Sequence, residues 1–307
     1  MPPSHVAIVT DDPGWHGARL RRALERRGCT SRYVSLTACR MAIDGSEVPV
    51  VLPGFEERLP DAVFVRGVPG GSLEDVTFYL DILHALRILS VPVYNDARAI
   101  ERTVDKAMTS FLLHRLGIPT PPTWVVRNRE EARAIAEREL RAGQQVVSKP
   151  LFGSQGAGLR RFARIEDLDT LDDDYAVHYL QRFVGCDRQP PHDWRVFVIA
   201  GRAVAAMRRC GVTWLNNVAQ GARCEPARLD DLLLSRLAED AVRAIGMGYA
   251  GVDIIRDPHG RYSVLEINSI PAWKGLQSVT DIDIAELLVA DFLDLAAPDS
   301  MSEASAR

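Results

Sequence analysis

The stretch Gly251-Val-Asp-Ile-Ile-Arg-Asp-Pro-His-Gly-Arg-Tyr-Ser-Val-Leu-Glu-Ile-Asn268 constrains this chain more than any other. It reads as two apolar, β-branched strands around a turn signal at Asp257-Pro-His-Gly260. Side-chain alternation expects Val264, Glu266 and Asn268 on one face, and a register centred on the turn sets Asp253 roughly opposite Glu266. Like charges facing each other across strands repel. A solvated hairpin face would tolerate that; a divalent cation would remove the cost, because two carboxylates and an amide oxygen beside phosphates are the hard ligands Mg²⁺ accepts.

A second feature supplies the phosphates. Lys149-Pro-Leu-Phe-Gly-Ser-Gln-Gly-Ala-Gly158 follows a β-rich run and carries Gly153, Gly156 and Gly158. Glycines there let backbone N–H groups approach an anion, while Lys149 offers a fixed cation. A mobile hairpin tip would have the same composition. The loop lacks the Lys-Ser/Thr ending of a P-loop, and its glycines fall in the reverse of the dinucleotide G-x-G-x-x-G order. Hairpin and loop together indicate a protein that handles ATP, outside the P-loop and Rossmann classes.

The remaining pattern divides the chain coarsely. Strand signals at Val6 to Thr10, Arg32 to Leu36, Asp61 to Arg66 and Val91 to Tyr94 alternate with helical periodicity at Gly17 to Arg27 and Ser72 to Leu89. That alternation predicts an α/β lobe with a parallel sheet over residues 1–98. Residues 99–184 read as helical from Ala97 to Gly117, a proline linker from Ile118 to Thr123, and a small α+β lobe bearing Lys149. Residues 185–296 read as a last α+β lobe: a hairpin across Ala200-Gly-Arg202, a helix from Asp230 to Ile245, the carboxylate hairpin, and a closing helix from Asp283 to Leu295. The tail, 297–307, has the small polar composition of a disordered terminus.

Composition excludes several classes. A net charge of -4 and a pI near 6.0 argue against nucleic acid or an anionic membrane as main partner. Charges interrupt every apolar run before ~20 residues, so no spanning helix is expected, and the N-terminus carries no signal pattern. The five cysteines, Cys29, Cys39, Cys186, Cys210 and Cys224, form no C-x-x-C pair and read as reduced thiols of a cytoplasmic protein. No Ser-His-Asp, Cys-His or G-x-S-x-G nucleophile pattern is present, and His192 reads as structural or solvated.

The ordered motifs Asp105-Lys106, Ser148-Lys149-Pro150, Gly153 to Gly158, Gln181 to Val184, Asp193 to Val198, Ala205-Ala-Met-Arg208, Gly251-Val-Asp253 and Glu266-Ile-Asn268 resemble the ATP-grasp superfamily. Within it they are similar to the RimK-type glutamate ligases and the relatives that glutamylate tetrahydromethanopterin, over essentially residues 1 to 294. The resemblance implies an ATP-grasp fold of mixed α/β and α+β class, with the nucleotide between the last two lobes. It gives Lys106 and Lys149 to the α- and β-phosphates and the loop Gly153, Ser154, Gln155, Gly156 to Gly158 to a phosphate lid. Gln181, Arg182, Phe183 and Val184 become the hinge that reads adenine, with Asp193 also at the nucleotide. Asp253, Glu266 and Asn268 would hold two Mg²⁺ ions, or Mn²⁺, and Arg195 and Arg208 would face the transferring phosphoryl. Asn217 and Gly221 match the segment that closes on the substrate.

Two departures bear on the acceptor. Leu215-Asn-Asn-Val-Ala-Gln-Gly-Ala222 lacks two basic residues that RimK-type chains carry and that could meet an acidic peptide. Trp273 and Lys274 stand where those chains tend to have Leu and Glu; an aromatic face and a cation suit an aryl or pterin-like substrate with carboxylates, though Trp273 also reads as ordinary packing. Arg66 ends a strand of the first lobe, where open α/β sheets place ligands, and reads equally as a substrate-carboxylate partner or a surface cation. The resemblance implies an ADP-forming carboxylate–amine ligase working through an acyl-phosphate, joining L-glutamate to a small cofactor-like acceptor of the tetrahydromethanopterin or methanofuran type. A protein terminus is the alternative acceptor, and an ATP-binding regulatory protein of the synapsin kind the alternative class. Ligases of this kind are often dimers or tetramers, and no stripe in the sequence marks an interface.

Overall fold

The computed structural model describes residues 3–153, 156–171, 176–185, 191–216 and 221–297. They form two units. Unit 1 comprises residues 1–100, 247–250 and 269–307; unit 2 comprises 101–246 and 251–268.

Unit 1 is built on β1 (His5–Val9), β2 (Thr30–Val34), β5 (Ala62–Val65) and β6 (Val93–Tyr94), a parallel sheet in the order β2-β1-β5-β6. A small hairpin, β3 (Arg40–Met41) with β4 (Val50–Val51), intervenes. Both faces of the sheet are covered, which is why β1 and β5 are apolar without alternation. One face, with Ala7, Val9, Val63 and Val65, buries Ile82, Leu83 and Leu86 of α2 (Leu73–Ile88). That helix starts at a capping box in which Ser72 and Asp75 exchange hydrogen bonds. The other face places Phe64 against Tyr94, Tyr249 and Phe292, with ring centroids 5.4–5.6 Å away. Helix α1 (Gly14–Arg26) packs on α8 (Ile284–Leu295).

The closing helix expected to complete the last lobe therefore belongs to the first unit, because its Ile284, Leu288 and Phe292 are buried there. Asn95 fastens the returning segments. Its fully buried amide donates to Tyr249 O (2.8 Å) and Ser269 O (2.7 Å) and accepts from Gly248 N (3.0 Å). Residues 298–307, expected as a disordered tail, lie outside the described residues.

Unit 2 contains two antiparallel sheets. The first, β7 (Thr123–Val126), β8 (Val146–Lys149), β9 (Arg160–Phe162) and β10 (His178–Arg182) in the order β7-β10-β8-β9, is packed by α5 (Arg129–Arg141) through Ala132 and Ala136. The second runs β13-β12-β11-β14-β15: β11 (His192–Ile199), β12 (Arg202–Cys210), β13 (Arg223–Ala227), β14 (Tyr249–Arg256, entering unit 2 at Gly251) and β15 (Tyr262–Asn268). Helix α6 (Leu232–Ile245) backs it with Leu234, Ala238, Ala241, Val242 and Ile245. The helical stretch expected over 97–117 is two helices, α3 (Ala97–Val104) and α4 (Lys106–Arg115). Asp105 breaks them by capping Ala107 N and Met108 N. A four-residue helix, α7 (Lys274–Gln277), completes unit 1.

Candidate active site

The side of unit 2 expected to meet phosphates is assembled from α4 and β8. Lys106, the first residue of α4, donates from Nζ to Gly153 O (2.8 Å) and Leu151 O (3.4 Å). Lys149 ends β8 and donates to Gln181 Oε1 (2.7 Å). Gln181 is itself locked by Thr123 Oγ1 (3.0 Å) and Tyr179 OH (3.2 Å). Loss of hydration lowers the Lys149 pKa to about 8, against the pull of Glu266, and burial also lowers Lys106. Gly153, Gly156 and Gly158 have φ of 138°, 75° and 72°, conformations that a Cβ disfavours. Ser154 and Gln155 lie outside the described residues.

The segment expected as a hinge, residues 181–184, is partly used by the fold. The Arg182 N–H donates to Pro122 O and the Phe183 N–H to Gln145 O, both at 2.8 Å, whereas the Val184 N–H has no backbone partner among the described residues. The Arg182 side chain is held by Glu139, at 2.6 Å and 3.1 Å. A cavity of about 170 Å³ follows, lined by Val147, Leu159, Phe183, Ile255 and Leu265 and reaching Lys149, Arg195, Arg209 and Glu266. The larger concavity, about 1120 Å³ beside residues 119–122 and His259, shares Arg182, Phe183 and Val184 but contains neither lysine nor the carboxylates expected to hold a metal.

The far wall is a chain of alternating charges. Arg195 grips Asp253 with two hydrogen bonds (2.7 and 2.8 Å), Arg209 grips Asp193 likewise (2.7 and 2.8 Å), and Arg209 also reaches Asp253 at 2.9 Å. Asp193, Arg209 and Asp253 are each 5% exposed. Burial raises the Asp193 pKa to about 6 even beside Arg209, whereas Asp253, flanked by two guanidiniums, is held below the ordinary carboxylate range. Asp193 lines the same cavity, with both its oxygens accepting from Arg209. One expectation changes. Arg208 points to the other side of β12, half-exposed and paired with Glu225, while its neighbour Arg209 occupies the site.

Asp253 does stand opposite Glu266, by a route that strict alternation misses. Ile254 pairs with Val264, and Asp253 with Glu266, so Leu265 is an extra, bulged residue. Leu265 and Glu266 then both line the cavity, and Val264, expected beside Glu266, packs in the core. Glu266 has no hydrogen bond or ion pair among the described residues, and Asn268 turns its amide N–H to Gly251 O (3.5 Å). Asp253 uses three of its four lone-pair directions on arginines. Among the described residues no three His, Cys, Asp or Glu cluster as a metal site, so a cation would rest on two carboxylates, an amide oxygen and its substrate's phosphates. That donor set fits Mg²⁺.

Three residues expected at the substrate lie in unit 1. Trp273 is 0% exposed, with Trp15, His16 and Arg66 around its ring, and so presents no face to a ligand. Lys274 is exposed at the start of α7, and Arg66 is largely buried after β5. In unit 2, Gly221 adopts φ 91°; Asn217 lies outside the described residues.

A RimK-like ATP-grasp domain matches residues 103–292, and a RimK PreATP-grasp domain matches residues 5–100. The chain belongs to the RimK-like ATP-grasp family. It is an ATP-grasp ligase, a class that works generally with ATP and Mg²⁺. It is 34% identical over 297 residues to the tetrahydromethanopterin:alpha-L-glutamate ligase of Methanococcus maripaludis, covering 95% of this chain and 98% of that one. It is 30% identical to a probable alpha-L-glutamate ligase of a Picosynechococcus species, covering 97% and 98%. Among solved structures, the ATP-grasp ligase PsnB complexed with minimal precursor, Mg and ADP shares the fold at a TM-score of 0.71 and 19% identity, over 95% of this chain and 98% of that one. No helix among the described residues is long and apolar enough to cross a membrane.

Proposed function

We propose that this ATP-grasp ligase adds L-glutamate to a small, cofactor-like acceptor, with tetrahydromethanopterin the first to test. The near full-length likeness to the Methanococcus maripaludis ligase carries the choice of acceptor. The complete set of Lys106, Lys149, Arg195, Arg209, Asp253, Glu266 and Asn268, on two cavities of unit 2 that share Lys149 and Glu266, supports catalysis over mere nucleotide binding.

A carboxylate is a poor acyl donor because oxide would have to leave. The γ-phosphoryl therefore moves from ATP to a carboxylate oxygen, releasing ADP; the amine then attacks the acyl carbon, the C–N bond forms and phosphate departs. Lys106 and Lys149 neutralise phosphate oxygens, and Arg195 and Arg209, held rigid by Asp253 and Asp193, face the charge that develops at the carboxylate. Glu266, Asn268 and the remaining acceptor of Asp253 would hold Mg²⁺, as two ions, which would supply further neutralisation at the phosphates. The apolar wall of Val147, Ile255 and Leu265 keeps water from the acyl-phosphate.

Incubation with Mg²⁺, ATP, glutamate and tetrahydromethanopterin should release ADP, not AMP, and yield an acceptor heavier by one glutamyl residue. ADP release without that product would remove the acceptor from the proposal. AMP as the product would remove the acyl-phosphate. Transfer of labelled glutamate to a protein terminus instead would establish the RimK-type alternative.

A further inference from the structure

The parallel sheet of unit 1 has its own ligand-binding geometry. From β1 the chain passes to β2 on one side and then to β5 on the other, so β1 and β5 flank the point where the winding reverses. Open α/β sheets bind ligands in the crevice outside the carboxyl ends of such strands. Arg66 occupies that place, its N–H donating to Val9 O at 2.8 Å. Its guanidinium is unusual for a largely buried cation. Among the described residues it forms no ion pair, its Nε is buried without a hydrogen bond, and its contacts are a long bond to Ile270 O (3.5 Å) and the Trp273 ring at 5.2 Å. Burying an unpaired charge is unfavourable unless something compensates it. Asp12 acts on this charge from a distance and makes no ion pair.

The neighbours extend the same chemistry. His16 accepts from Trp273 N (3.1 Å) and Lys274 N (3.3 Å) at Nε2, which puts its proton on Nδ1 and keeps the ring neutral and donating. Burial, Arg66 and Lys274 lower its pKa to about 4, in agreement. The Lys274 ammonium is exposed and pairs with no carboxylate among the described residues. Trp15, half-buried, stands beside His16 with ring centroids 5.1 Å apart.

We infer that Arg66, His16 and Lys274, beside Trp15, form a carboxylate-binding site of unit 1 that takes the acid group of a small molecule on Arg66 and Lys274. The site stands independently of which acceptor is glutamylated. It also gives the unpaired buried guanidinium its missing counter-charge, as a planar fork that a carboxylate matches with two hydrogen bonds.

The test uses the full chain, with glutarate as carboxylate probe, inorganic phosphate as competing anion and a non-hydrolysable ATP analogue as control, each followed by calorimetric titration. Arg66→Met and Lys274→Gln should each weaken glutarate binding at least tenfold and leave affinity for the ATP analogue within twofold. Lys274 is exposed, so its variant decides the matter even if Arg66→Met fails to fold. Unchanged glutarate affinity in Lys274→Gln, absence of glutarate binding to the wild type, or phosphate binding as tight as glutarate would each overturn the subsite. None depends on which acceptor is glutamylated, so failure of tetrahydromethanopterin as substrate is a separate result.

Discussion

Replacing Arg209 by Met tests the charge chain at its centre. Asp193, Arg209, Asp253 and Arg195 sum to zero charge, and Arg209 is the partner common to both acids. Its removal leaves a buried surplus negative charge, with Asp193 deprived of both its hydrogen bonds. Removing one partner of a buried pair costs about 3–5 kcal/mol, which for a unit of this size lowers Tm by roughly 6–20 °C. The Asp193 pKa, already about 6, should rise further, so the loss should be larger at pH 8 than at pH 5. The sign follows from linkage: a carboxyl whose folded pKa lies above its unfolded value binds a proton on folding, so its contribution fades as pH rises through the folded pKa. Adding Asp193→Leu to Arg209→Met restores neutrality, with Arg195 still on Asp253, and should regain most of the lost Tm. Thermal unfolding at the two pH values reads all of this. A single variant that melts with the wild type, or a double variant no better than the single, would refute the reasoning.

The other expectations are briefer. Glu266→Gln should abolish turnover and leave Tm near wild type, read by ADP release and thermal melting, because it removes a carboxylate that no other described residue holds. Arg208→Ala should keep turnover and cost no more than ~1 kcal/mol, since its pair with Glu225 is half-exposed; loss of activity there would return the phosphoryl role to Arg208. ATP affinity should fall as pH rises above about 8, approaching tenfold per pH unit, as free Lys149 loses its proton, and Lys149→Met should bind weakly with no such step. That variant should also melt higher at pH 7, by at most ~3 kcal/mol of stability, because a lysine whose folded pKa is lowered opposes folding while it is charged.

What the sequence disclosed and what it withheld divide along one physical line. Lys149, the glycine loop and the carboxylate hairpin are local: charge, glycine and turn residues stand within a few positions of one another, and their spacing alone carries the chemistry. The choice between Arg208 and Arg209 is a question of strand register, which neighbours in sequence cannot answer. Counting back from the Ala200-Gly201 turn, where Ile199 pairs with Arg202, places Arg208 opposite Asp193; one extra residue, Val204, between the pairs Val198–Ala203 and Phe197–Ala205 moves Arg209 there instead. Leu265 makes the same one-residue correction in the second hairpin and sets Glu266 against Asp253. A one-residue slip exchanges the two faces of a strand, so each bulge decides which of two adjacent residues meets the cavity. Acid–base complementarity was the available signal for the first: of the two arginines, the one opposite Asp193 must be the one that shares its burial. Likewise, Arg66 was legible as the end of a strand, but its missing counter-ion was not, because an unpaired charge is defined by what the rest of the fold fails to bring near it.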